Sequence, residues 1–62
     1  MGDQLIKYYH YINEQLGLSG KVKLAQLTKV PSTVAATEPD KPELVQRFKD
    51  AITQITGKPP PP

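Results

Sequence analysis

The chain has 62 residues, no cysteine, and a formal net charge of +2 from eight Lys and Arg against six Asp and Glu. That length holds one domain at most, with only about 60% of the unfolded surface buried on folding, and the lack of cysteine excludes a disulfide or thiolate–metal staple. The apolar share of 37% fills one small core but leaves little to wall an enzyme pocket of roughly 300–1,000 Å³, and the mild net charge falls short of a lopsided nucleic-acid footprint.

Asp3 stands where an N-cap would accept hydrogen bonds from orphan backbone N–H groups, and a first helix is expected over about Gln4 to Leu16. At about 100° per residue, Leu5, Tyr9, Ile12 and Leu16 share one stripe, with Tyr8 and Ile6 on its two flanks. Lys7, His10, Tyr11 and Glu14 face away from that stripe. Gly17 occupies the position of a left-handed residue after a helix, and Leu18 is placed to fold back over the last turn.

From Ser19 to Val30 two patterns compete. Ser19 as N-cap gives a short second helix over Gly20 to Thr28, with Leu24, Leu27 and Thr28 on one side. The alternation of Val22 and Leu24 with Lys21 and Lys23 suggests a strand, but it fails at Ala25-Gln26-Leu27, and a lone strand lacks a partner. Helix is the reading we adopt. Val30 to Pro39 reads as a connection: Pro31 ends the preceding helix, Ser32 can cap one turn, and Val34 is expected under the other helices.

The last helix is expected over Lys41 to Thr56. Asp40 and Glu43 have the spacing of a capping box, and Pro42 fits the first turn, where its missing N–H costs nothing. Leu44, Phe48, Ala51, Ile52 and Ile55 form its apolar face, Val45 widens it, and Gly57 ends the helix. Pro59 to Pro62 then form a stiff polyproline II stretch.

The expected fold is therefore all-α: a three-helix unit of two longer amphipathic helices and a short middle helix, with a polyproline tail. The helical domain covers 1–57, and 58–62 is a tail or a linker to a further domain of a longer protein. The core should hold Leu5, Tyr9, Ile12, Leu16, Leu24, Leu27, Val34, Leu44, Phe48, Ile52 and Ile55, with Leu18, Val22 and Val45 at its margins.

Residues that carry chemistry are sparse. His10 is the only histidine, with no cysteine to join it at a metal and only Glu14 one turn away. Ser32 and Thr33 lack a general base at a meaningful spacing, and Gly17-Leu18-Ser19-Gly20-Lys21 lacks the spacing of a phosphate loop. Neither catalysis nor a cofactor or metal is expected. The apolar runs are two or three residues long, and the N-terminus has no signal-peptide core, so a cytoplasmic protein without a membrane span is expected.

Two features point to partners. Tyr8 and Tyr11, with Lys7, offer aromatic contact area of the kind enriched at protein interfaces. Lys21, Lys23 and Lys29 lie in a stretch between Glu14 and Glu38 that contains no acidic residue, a basic patch for an acidic partner. The expected function is a non-catalytic protein–protein interaction or docking module whose binding survives moderate salt and is lost in Tyr11→Ala. Self-association is a further option for so small a core.

The alternative is DNA binding. Lys23-Leu24-Ala25-Gln26-Leu27-Thr28-Lys29-Val30-Pro31-Ser32-Thr33-Val34 resembles, through Ala25 and the Val30–Val34 segment, the helix-turn-helix pattern L-A-x-L-A-x-x-x-G-V-S-x-x-T-V of bacterial repressor domains. The resemblance covers about twelve residues. It implies phosphate or base contacts by Lys23, Lys29, Ser32 and Thr33. The turn glycine is replaced by Thr28 and Lys29, and Ser32 to Thr37 supplies no Arg, Lys, Asn or Gln to read base edges.

Overall fold

Gly17 decides the architecture. A computed structural model describes residues 3–60, and in it the first helical element, α1 (Asp3–Thr28), is broken at Gly17, whose φ of 68° and ψ of −150° are non-helical. That backbone region is essentially restricted to glycine. The segment after the break is helical, as expected from the failed alternation, and not a strand. Ser19 does not cap it; its hydroxyl donates back to the Leu16 carbonyl at 3.3 Å. After the break the chain folds back on its own first half. A Cβ placed on Gly20 would lie 2.7 Å from the Leu16 Cβ and 3.1 Å from the Ile12 Cγ1. Gly20 is therefore there for close approach.

The end of α1 is held by several hydrogen bonds. Thr28, fully buried, donates from its hydroxyl to the Leu24 carbonyl at 2.7 Å, and the Val30 N–H donates to that hydroxyl at 3.3 Å. Arg47 reaches across to donate to the Thr28 carbonyl at 3.4 Å. Lys29 takes the left-handed conformation, φ 64°, while its N–H donates to the Ala25 carbonyl. α2 (Ser32–Ala35) is a single turn that starts from Pro31 without a side-chain cap, so Ser32 does not play the capping role its sequence position suggests.

α3 (Pro42–Thr56) has Pro42 in its first turn and ends at Gly57, left-handed at φ 77°. Both boundaries match the sequence signals. The capping box does not form: the N-cap is Lys41, with no side-chain hydrogen bond. Asp40 instead accepts the Gln4 backbone N–H at 3.1 Å, which ties the loop before α3 to the first turn of α1. Asp3 is itself inside α1, so the cap comes from 36 residues away.

α1 packs along α3, and α2 packs on α1. The Cα radius of gyration is 10.0 Å, close to the roughly 10–11 Å expected for a compact chain of this length. Phe48 sits between two rings: Tyr8 stacks on it at 6.1 Å and 21°, and Tyr9 meets it edge-on at 5.7 Å and 74°. Around this trio are Leu5, Ile12, Leu24, Val30, Ala35, Ala51 and Ile52, all buried. The Tyr9 hydroxyl donates to the Val30 carbonyl. Its pKa is raised by burial, and the Thr28 hydroxyl beside it pulls it back in part.

The core departs from expectation at its edges. Leu16, Leu27 and Val34 are 44%, 41% and 38% exposed, and the intended margin residues Leu18 and Val22 are 73% and 47% exposed. Leu16 is the last residue before the Gly17 break, at the exposed end of the Leu5–Ile12 stripe, and in the one-turn α2 it is Ala35, not Val34, that is buried. Leu44, Val45 and Ile55 pack half-buried against the core. Of the proline tail, Pro59 and Pro60 lie past α3 without helical structure, and Pro61 and Pro62 lie outside the described residues.

Candidate functional site

The aromatic face expected on the first helix is mostly absorbed by the core. Tyr8 is 2% exposed, with its ring on Phe48 and its hydroxyl accepting from the Gln4 side-chain amide at 2.9 Å. It is not a surface residue. Tyr11, expected to point outward, is half-buried and packed against the core. Lys7 alone of that trio is exposed.

The three lysines also part company. Two residues apart on a helix, Lys21 and Lys23 project about 200° from each other, and they line different grooves. Lys21 borders a cleft of about 210 Å³ between the first half of α1 and the start of α2. Ile6 and Tyr9 supply its apolar surface, and His10, Asn13, Ser32 and Thr33 complete the wall. Lys23 borders a second groove, of about 290 Å³, with Gln26 and Leu27 of α1 and Gln54 and Ile55 of α3. Lys29 is exposed at the left-handed end of α1.

Between these grooves lies a surface that sequence reasoning placed at the core margin. Leu18 and Val22 are one turn apart, so they project within about 40° of each other, and both are exposed. On the same helix Lys21 lies about 60° to one side of Leu18, and Lys23 lies about 100° to the other side of Val22. The pair is an apolar ridge with a cation on each flank. The sequence signal was present: Leu18 and Val22 fall outside the Leu24–Thr28 side. It was read as margin because an apolar residue is by default assigned inward.

Among the described residues no group of three or more His, Cys, Asp or Glu is gathered as a metal site, and no helix is long and apolar enough to cross a membrane. No family model matches the chain, and neither a curated protein nor a solved structure matches it.

Proposed function

We propose that this chain is a non-catalytic protein-interaction module that presents the second half of α1 to an amphipathic, acidic segment of a partner protein. The observation that carries this reading is the exposure of Leu18 and Val22 on one face, 73% and 47%, bracketed by Lys21 and Lys23. In a chain of 62 residues with a small core, apolar area left outside is stabilisation forgone, at about 25 cal/mol per Å². A partner that buries it regains that free energy. Acidic side chains flanking an apolar stripe would meet Lys21 and Lys23, since the surrounding segment from Gln15 to Thr37 carries no carboxylate to compete.

The left-handed Lys29 adds support. A lysine there is disfavoured by about 1–2 kcal/mol relative to ordinary helical backbone, where a glycine would be comfortable. A charged side chain at a left-handed position at the end of the same helix fits a contact role.

The test is an amide NMR titration with a helical peptide carrying a leucine stripe flanked by glutamates, beside a control with the stripe changed to serine. Shifts centred on Leu18 to Gln26 that persist in moderate salt and vanish in Leu18→Ser and Val22→Ser are expected. A second titration uses mixed-sequence duplex DNA. Shifts over Lys21 to Thr33 that collapse with salt, as counterion release requires, would replace this reading with the DNA-binding one. That alternative has the weaker support, because α2 is one turn of Ser, Thr, Val and Ala.

A further inference from the structure

Of the cleft between α1 and α2 the docking reading uses only Lys21, and the rest of its composition stands apart. Five polar side chains converge on it: the Lys21 ammonium, the His10 imidazole, the Asn13 amide and the hydroxyls of Ser32 and Thr33. Each can donate a hydrogen bond. None of the five side chains is engaged in a hydrogen bond among the described residues. No carboxylate lines the cleft, while Ile6 and the buried Tyr9 ring give it an apolar wall. Lys21 and Ser32 are half-buried, and His10, Asn13 and Thr33 are exposed at the rim. The cleft is assembled only by the fold: the Gly17 break brings Lys21 back beside His10 and Asn13, and the Pro31 turn delivers Ser32 and Thr33.

Unengaged donors, one cation and no carboxylate describe an anion site. The volume sets the class. At about 210 Å³ it lies below the roughly 300–1,000 Å³ of sites that enclose a whole drug-sized ligand. It suits a compact head group whose remainder leaves through the open side. A phosphoryl group, with about −1.5 to −2 charge and three strong acceptor oxygens, matches a donor set of this number and sign. A lysine serves it as a point charge, and the amide, imidazole and hydroxyls give direction.

We propose that this cleft binds a phosphate monoester, with Lys21 as its counter-charge and His10, Asn13, Ser32 and Thr33 as hydrogen-bond donors. The site lies beside the Leu18–Val22 ridge and shares Lys21 with it, and its ligand is either a phosphorylated small molecule or a phosphorylated side chain.

The test follows backbone amides while inorganic phosphate, glycerol 3-phosphate and a phosphoserine peptide are each titrated against chloride at matched ionic strength. Saturable shifts confined to Ile6–Asn13, Lys21 and Ser32–Thr33 are expected. Affinity should fall about tenfold in Lys21→Gln, the loss of roughly one charge-assisted contact, and also in Ser32→Ala. Lys23→Gln, on the other groove, should leave it unchanged. All three exchanges are at the surface or half-buried, and an unperturbed spectrum elsewhere verifies the fold. A tighter response to glycerol 3-phosphate assigns a small molecule, and a tighter response to the peptide assigns a phosphorylated chain. Shifts that rise linearly and spread equally over Lys7, Lys23, Lys29 and Lys49, or equal effects of Lys21→Gln and Lys23→Gln, would overturn the proposal. Lys21 also flanks the docking ridge, so Ser32→Ala and Leu18→Ser separate the two readings: the first should weaken phosphate binding alone, and the second the leucine–glutamate peptide alone.

Discussion

Gly20 and Lys29 show how the same question, glycine or not, is answered oppositely by packing and by backbone. In an exposed helix, Gly→Ala gains about 1 kcal/mol of helix propensity. At Gly20 the new methyl would lie 2.7 Å from the Leu16 Cβ, an atom fixed to the backbone, and 3.1 Å from the Ile12 carbonyl oxygen. Overpacking of this kind costs about 1–3 kcal/mol. Gly20→Ala is therefore expected to destabilise by about 1 kcal/mol net, read as a lower urea midpoint at constant slope. A higher midpoint would mean that the two halves of α1 do not close on one another. At Lys29 the space is open and the backbone is the constraint. Lys29→Gly should raise stability by about 0.5–1 kcal/mol, relieving the left-handed strain less the added freedom of the unfolded chain. A thermal melt compares it with the parent, and a fall in midpoint would contradict the left-handed assignment.

The elements of this molecule are closed by partners from outside themselves. Asp40 precedes α3 and has the spacing of that helix's capping box, yet its carboxylate accepts from Gln4 in α1. Asp40→Ala should cost about 1 kcal/mol, as loss of an N-cap acceptor does. Amide exchange locates the effect. Protection should fall in the first turn of α1, from Gln4 to Lys7, while Glu43 to Val45 stay as they were. The opposite pattern would restore the local capping box. The same logic runs at the other end of α1, where Arg47 of α3 donates to the Thr28 carbonyl. The cleft beside Lys21 is likewise the property of no single element, since its polar side chains come from both halves of α1 and from α2.

At the scale of the whole molecule, one aromatic trio holds α3 to α1. Phe48 is fully buried between Tyr8 and Tyr9. Phe48→Ala should cost about 3–5 kcal/mol, a large part of the 5–15 kcal/mol that stabilises ordinary domains. In a chain this short the expected result is loss of a cooperative thermal transition, and a surviving sharp melt would refute the assigned core. Tyr9 adds a pH dependence. Its folded-state pKa is raised above the unfolded value near 10, because the buried phenolate is disfavoured. The folded state therefore holds its proton more tightly. The contribution is fully present below about pH 10 and is lost as pH rises through the folded-state pKa. Stability measured by urea titration should fall above about pH 10 more steeply in the parent than in Tyr9→Phe. Identical slopes would mean that Tyr9 ionises as freely as in the unfolded chain.

By itself the sequence determined the helical content, the boundaries of α3 and most of its inward face, because Pro42, Gly57 and the 3–4 spacing of Leu44, Phe48, Ala51, Ile52 and Ile55 act within one or two turns. It also marked Gly17 as the positive-φ residue that ends the first helical stretch. Only the tertiary structure decided the rest. How far the Gly17 break turns the chain sets whether Leu16, Leu18 and Val22 are inside or outside, and no local pattern encodes that angle. Tyr8 was drawn from the flank of its stripe into the core because Phe48, forty residues on, offers its ring a face. Asp40 served a distant helix because that helix's orphan N–H lay within reach. Lys21 and Lys23, neighbours in the chain, were sent to separate grooves by the helical turn between them, and Lys21 met His10, Asn13, Ser32 and Thr33 only when the two halves of α1 closed. Signals that act over a few residues are written in the chain, whereas those that depend on which surfaces meet exist only once the surfaces have met.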